Sequence, residues 1–117
     1  MRERGTDQLD YYADTSIERN KFDEAIDEVM APFLNSRKSA FKSGALNSKV
    51  KRLMALSIAL QAGITRSIIG QTKEAVDAGA TKDEVLEACG VAVVMGGTRA
   101  SAETWRVVKV LEEMRIW

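Results

Sequence analysis

The sequence contains no histidine, one cysteine and one proline among its 117 residues. Without histidine, a Ser-His-Asp triad and a histidine-ligated metal centre are both excluded. A single cysteine cannot form an intramolecular disulfide, so a reaction that cycles between two thiols of one chain is excluded as well. The one proline, Pro32, leaves the rest of the chain free to form uninterrupted helices.

The chain also lacks an excess of charge and a long apolar run. Lysine and arginine number 17, as do aspartate and glutamate, and proteins that bind nucleic-acid phosphates need a surplus of positive charge. The most apolar stretch, residues 88–97, is too short to span a bilayer, and residues 1–15 are too charged for a signal peptide. We therefore predict a cytoplasmic protein that binds neither nucleic acid nor membrane.

Apolar residues recur at helical spacing along most of the chain. The length suits one domain, residues 1–117, with a single core, and no segment alternates as a strand would. We predict a compact all-α domain of about six helices. Residues 1–14 are polar apart from a small apolar group, and we interpret them as an N-terminal arm or a short helix that docks on another subunit.

Residues 15–44 predict one kinked helix or two helices in succession. Thr15 and Glu18 have the spacing of a capping box, and Pro32 either kinks the helix or opens the next one. Gly44 suits a left-handed cap at the end. Five apolar side chains follow the helical period and predict a buried face: Phe22, Ile26, Val29, Met30 and Phe33.

The remaining helices have clearer boundaries. Asn47 or Ser48 caps the next helix, which Gly63 ends, and another follows to residue 78. Thr81 and Glu84 form a second capping box. The helix after it is apolar on nearly all sides, which predicts a central position. A last helix from about residue 98 has an apolar surface wider than one neighbour covers, which suggests a subunit interface.

Four segments carry a family resemblance: Ser43-Gly44-Ala45-Leu46, KVKRLMAL at 49–56, KEAVDAGATKDEV at 73–85 and EACGVAVVMGG at 87–97. Through them the stretch from Phe41 to Glu112 resembles the carboxymuconolactone decarboxylase / alkylhydroperoxidase D family. The resemblance implies packed helices built on a helical hairpin. It also implies a homo-oligomer, a trimer or hexamer, with its sites near subunit contacts.

The resemblance implies two kinds of chemistry. One group of members consists of thiol peroxidases with a glutamate, a CxxC pair and a histidine, and the other consists of decarboxylases that act on a muconolactone. Matched residue by residue, the redox pattern falls on Arg52, Ile64, Ser67 and Gln71, and all four differ from it. We predict that thiol peroxidase activity is lost, and that Cys89, within an apolar helix, is an inert core residue.

The substituted positions suggest a binding site for an anion. Arg52, Arg66, Ser67 and Gln71 offer cationic and polar groups that suit a carboxylate, although they could equally be hydrogen-bonded fillers of an inactive site. A working decarboxylase of a carboxylated lactone is one alternative, and a non-catalytic scaffold or interaction protein is another. Carboxylate pairs on the first helix fit a solvated face better than a metal site, so no metal and no cofactor are predicted.

Overall fold

The computed structural model describes residues 7–117 and shows an all-helical chain, as the sequence predicts. No strand occurs within this range, and none of its helices combines the length and apolarity needed to cross a membrane. The helical segments are α1 (Asp7–Ala25), α2 (Asp27–Phe41), α3 (Ser48–Ala62), α4 (Thr65–Asp77), α5 (Lys82–Gly96), the short α6 (Thr98–Ala102) and α7 (Thr104–Glu113).

The core lies among α3, α4, α5 and α7. Helix α3 packs against both α4 and α5, so α3, and not α5 as predicted, occupies the centre. The largest fully buried apolar side chains come from these four helices: Leu56, Leu60, Ile68, Ile69, Val85, Val107, Val110 and Leu111. Helices α1 and α2 contribute nothing to this cluster.

The predicted boundaries of α3, α4 and α5 are confirmed. They could be predicted because hydrogen bonds and backbone conformations of residues close in the sequence determine them. The Asn47 side chain accepts the Val50 amide at 2.9 Å, and Gly63 ends α3 in the left-handed region with φ 72°. At α5 both halves of the capping box form, since Thr81 and Glu84 each accept the other's backbone amide.

The predicted start of α1 at Thr15 is wrong. The helix already includes Asp7, and the Thr15 hydroxyl donates to the Tyr11 carbonyl at 2.8 Å instead of capping. A long-range contact caps the early turn, because Glu113 of α7 accepts the amides of Gln8 and Leu9 at 3.1 and 2.8 Å. Residues 1–6 of the predicted 1–14 arm lie outside the described part of the chain.

The junction between α1 and α2 lies at Ile26, whose φ and ψ are −123° and 47°, and not at Pro32. Pro32 sits inside α2, so the predicted proline boundary is wrong. Backbone hydrogen bonds nevertheless join Ile26 to both helices, since its amide donates to the Phe22 carbonyl at 3.3 Å and its carbonyl accepts the amides of Val29 and Met30 at 2.9 and 3.0 Å. The left-handed cap predicted at Gly44 is absent, and Lys42 ends α2 in an extended conformation.

Two faces that the sequence predicts to be buried are exposed. The stripe on α1 and α2 is open at Phe22 (59% exposed), Val29 and Phe33, and the outer face of α5 is open at Val94 (83%) and Met95. Helical spacing identifies a continuous apolar face, but it does not show whether the same chain supplies a partner for it. Both predictions of burial within the chain are therefore wrong.

Candidate functional site

A cavity of about 200 Å³ lies between α1, α2 and α4. Among residues 7–117, three arginines and no carboxylate line it, so its wall carries a concentration of positive charge. The lining residues are Tyr12, Arg19, Arg37, Ile64, Arg66, Ser67, Gly70 and Gln71.

Helix α4 forms one wall of the cavity with residues that the sequence predicts for the site. Ser67 and Gln71 are one turn apart and share a face, and Ile64 is the residue that precedes the helix. Gln71 is buried, and its side-chain oxygen accepts a hydrogen bond from Nη1 of Arg52 at 3.1 Å. A guanidinium only donates hydrogen bonds, so Arg52 engages the side-chain oxygen of Gln71 and not its amide nitrogen. That nitrogen remains available as a donor to a ligand.

Arg52 stands behind this wall and does not line the cavity. It projects from α3, its guanidinium carbon lies 3.7 Å from the ring centre of Phe41, and it reaches the site through Gln71. The structure thus brings all four mapped positions together, three in the lining and Arg52 in contact with the lining. The predicted candidate Arg66 also lines the cavity.

Arg66 is the most unusual group of the site. Its Nη2 donates to the Ser16 hydroxyl, and its guanidinium carbon lies 4.2 Å from the ring centre of Tyr12. Its Nε and Nη1 are buried, and neither finds an acceptor within the described part of the chain. A buried donor without a partner costs about 1–3 kcal/mol, and more when it is charged. An acceptor placed in the cavity would recover that cost.

Sequence reasoning missed Tyr12, Arg19 and Arg37, which α1 and α2 contribute. Their separations along the sequence could have indicated that they share one side of a helix. Tyr12 and Arg19 are seven residues apart, and Arg19 and Arg37 are eighteen apart, which is about two and five helical turns. On a nearly continuous helix the three side chains share one side, but only the tertiary contact with α4 shows that this side borders a cavity.

Cys89 lies in the core and is absent from the cavity lining. Burial raises the pKa of its thiol to about 11, so the thiolate that would attack a peroxide or a disulfide is scarce at neutral pH.

We expect Cys89 of the native protein to react with a thiol reagent at pH 8 at least ~100-fold more slowly than after unfolding in guanidinium. A raised pKa leaves the thiol protonated at pH 8, and the surrounding core excludes the reagent. The reaction should accelerate as the pH rises towards 11. A spectrophotometric thiol assay measures both rates, and equal rates would contradict the core position of Cys89.

The model of the carboxymuconolactone decarboxylase family matches residues 27–110, which is most of the chain. The chain belongs to the carboxymuconolactone decarboxylase family. The matched segment contains Arg37, Arg52 and the α4 side of the cavity, whereas Tyr12 and Arg19 on α1 precede it.

Relatives in sequence include an uncharacterized protein of the cox locus of Paracoccus denitrificans, 34% identical over 82 residues. That match covers 70% of this chain and 74% of the relative. An uncharacterized protein of Cupriavidus necator is 30% identical over 69 residues, 59% of this chain and 61% of the relative, so the match spans less than two thirds of that relative.

Two solved structures share the fold. A carboxymuconolactone decarboxylase family protein from Legionella pneumophila has 29% identity and a TM-score of 0.87, covering 92% of this chain and 96% of that one. A family protein from Thermotoga maritima, suggested to take part in an antioxidative response, has 27% identity and a TM-score of 0.82, covering 90% of each chain. The fold and the family expected from the sequence motifs are therefore confirmed.

Proposed function

We propose that this protein binds a small carboxylate in the cavity between α1, α2 and α4, and that it has lost the thiol peroxidase activity of its family. The observation that carries the proposal is Arg66, a cation with two buried donors lacking acceptors among the described residues. Arg19 and Arg37 line the same cavity, and no acidic residue in the described part of the chain does. A carboxylate satisfies these donors with charge-assisted hydrogen bonds.

The size of the cavity limits the ligand. A protein cavity of about 150 Å³ is known to hold benzene, so about 200 Å³ accommodates one small ring with a carboxylate. Tyr12 and Ile64 offer apolar contacts to the ring, and Ser67 and Gln71 offer neutral polar groups. The ligand class that we propose is therefore a small carboxylate with at most one five- or six-membered ring.

The loss of thiol chemistry is supported by what lines the cavity. The family resemblance maps the CxxC pair onto Ile64 and Ser67, which both line the cavity and neither of which has a thiol. A serine hydroxyl is a weak nucleophile unless a base activates it, and the chain contains no histidine. The remaining thiol, on Cys89, is buried in the core and protonated at neutral pH.

Calorimetry with 2-furoate and its neutral analogue 2-furamide tests the proposal. The two molecules have nearly the same shape, so a preference for 2-furoate reports on charge. We expect 2-furoate to bind at least ~10-fold more tightly, because its carboxylate forms charge-assisted hydrogen bonds with the arginines. Arg66→Gln should weaken 2-furoate binding about 10–100-fold, since a hydrogen bond to a charged group contributes roughly 1.5–3 kcal/mol.

Arg115→Gln is the matched control, because it removes the same charge from an exposed residue that does not line the cavity. The affinity of the Arg115→Gln variant for 2-furoate should equal that of the natural protein. Equal affinity for 2-furoate and 2-furamide, or undiminished binding by Arg66→Gln, would contradict the proposal.

Decarboxylation of a carboxylated lactone is a second candidate function. Tyr12 and Ser67, which carry hydroxyls, line the same cavity as the arginines. When the carbon–carbon bond to the carboxylate breaks, carbon dioxide leaves. The electron pair of the broken bond stays on the substrate and is delocalised onto the ring carbonyl as an enolate. The arginines would stabilise the enolate oxygen, and a hydroxyl would protonate the carbon. Unchanged absorbance of such a lactone with the natural protein would rule out this function and leave binding alone.

A further inference from the structure

A second recess, separate from the cavity that contains Arg66, lies where α2 connects to α3. Its volume is about 460 Å³, and we call it the α2–α3 recess. The lining residues are Lys38, Ser39, Phe41, Lys42, Ser48 and Arg52. None of these six lines the first cavity, so the two are different places on the molecule.

The α2–α3 recess concentrates positive charge. Lys38, Lys42 and Arg52 are cations, and no carboxylate of residues 7–117 lines the recess or forms an ion pair with any of the three. The whole sequence has 17 basic and 17 acidic residues, so an overall basic composition does not explain this excess. Like charges repel one another, and an anion between them would relieve that repulsion.

Hydrogen bonds fix the chain that forms the recess. Nζ of Lys51 donates to the Lys42 carbonyl at 2.7 Å, and the Ser48 amide donates to the Ser43 hydroxyl at 2.9 Å. The guanidinium carbon of Arg52 lies 3.7 Å from the ring centre of Phe41. The backbone of Lys42 and the guanidinium of Arg52 therefore have defined positions before a ligand binds.

The lining groups suit a phosphate better than a carboxylate. Lysine binds phosphate as a point charge, and arginine binds two of its oxygens at once. The hydroxyls of Ser39 and Ser48 are further donors. A phosphate ester has three free oxygens and a charge of roughly −1.5 to −2 at pH 7, whereas a carboxylate has two oxygens and a single charge. Three cations and two hydroxyls match the phosphate.

Arg52 connects the recess to the first cavity. It lines the recess, and its Nη1 donates to the side-chain oxygen of Gln71, which lines the cavity. Gln71 is only 6% exposed, so Arg52, and not water, orients its amide. An anion bound to Arg52 orders the guanidinium where it holds Gln71. A ligand that then enters the cavity has less ordering to impose, which favours its binding.

We propose that the α2–α3 recess binds a phosphate group, and that Arg52 and Gln71 couple this site to the cavity that contains Arg66. The phosphate site stands on the recess alone, whereas the coupling rests on the proposed function. Because coupling is reciprocal, a carboxylate in the cavity strengthens phosphate binding by the same factor.

Titration of the isotope-labelled protein with inorganic phosphate at constant ionic strength, followed by NMR, tests the site. We expect saturable shifts of the Ser39 and Ser48 amides. Lys38→Gln/Lys42→Gln should bind phosphate about 10-fold more weakly, since one exposed ion pair contributes up to about fivefold. Both lysines are exposed, so neither change should unfold the protein.

Lys21→Gln is the matched control, because it removes the same charge from an exposed lysine that lines neither site. Its phosphate affinity should be unchanged. Shifts that do not saturate, or undiminished binding by the double lysine variant, would overturn the phosphate site. Arg66→Gln should keep its phosphate affinity, and a loss there would place the anion in the cavity and overturn the site as well.

Sedimentation with vesicles of phosphatidylcholine and phosphatidic acid identifies the source of the phosphate. Protein that pellets with the vesicles, and that inorganic phosphate releases, assigns the phosphate to a lipid headgroup. Protein that stays in solution assigns it to a soluble ester.

The coupling is tested by measuring 2-furoate affinity with and without saturating phosphate. We expect phosphate to tighten 2-furoate binding about fivefold, the low end of the usual range of coupling. Gln71→Met should abolish this effect but keep phosphate binding, because it removes the acceptor of Arg52 without changing the recess. Equal or weaker 2-furoate binding with phosphate would overturn the coupling. If the natural protein binds phosphate but not 2-furoate, the proposed function fails while the phosphate site stands.

Discussion

Replacing Ile64 and Ser67 together by cysteine should create a redox-active pair in the cavity. The two positions stand at the N-cap and in the first turn of α4, which is the helical context in which CxxC pairs lower the pKa of a thiol. The arginines that line the same cavity should stabilise the thiolate further. After mild oxidation, the thiol count of the unfolded variant should fall from three to one, with Cys89 as the remaining thiol.

The variant should also gain hydroperoxide consumption in the presence of dithiothreitol, which the natural chain should lack. One thiolate attacks the peroxide and becomes a sulfenic acid, and the second thiol displaces water to form the disulfide. Ser67→Cys alone is the control, because it has no resolving partner in the cavity. Three free thiols after oxidation of the double variant would show that positions 64 and 67 do not correspond to the family's pair.

Gly70→Ala should open the cavity and abolish binding of 2-furoate. A β-carbon at this position would lie 2.6 Å from Cε2 of the Tyr12 ring, so the ring must move. That movement separates the Tyr12 ring from the guanidinium of Arg66, which the ring covers. Overpacking of this kind costs about 1–3 kcal/mol, which outweighs the gain of about 1 kcal/mol in helix propensity.

Gly90→Ala is the matched control for this substitution. Gly90 is also inside a helix, but nothing lies within 4 Å of the β-carbon it would acquire. Its free energy of unfolding should rise by about 0.5–1 kcal/mol. Chemical denaturation measures both variants, and a stabilised Gly70→Ala protein with intact binding would show that Tyr12 does not need the space at Gly70.

The fold could be predicted where the chain determines its own structure locally. The caps at Asn47 and Thr81 depend on groups three residues away, and both are confirmed. The start of α1 could not be predicted, because Glu113 supplies its capping acceptor from the far end of the chain. The burial of the apolar stripe on α1 and α2 was predicted wrongly, since an apolar period does not show whether the same chain covers it.

The candidate site, like the fold, has one part that the sequence predicts and one part that it does not. The family pattern points to Ser67 and Gln71 because both lie on α4, where the motifs are. Arg19 and Arg37 lie on helices with no such motif, and their role appears only when α1 and α2 are placed against α4. The structure identifies the group that packs against Gly70 as the Tyr12 ring of α1, which no local pattern around Gly70 indicates.

The core of the protein and the α1–α2 side of the cavity are built from different helices, and this affects how the sequence can diverge. Every residue of the core cluster lies between positions 56 and 111, whereas Tyr12, Arg19 and Arg37 lie on helices that the core does not include. Selection for folding and selection for ligand preference therefore act on different residues. Descendants of this chain can exchange one side of the cavity for another chemistry while the scaffold that carries it stays the same.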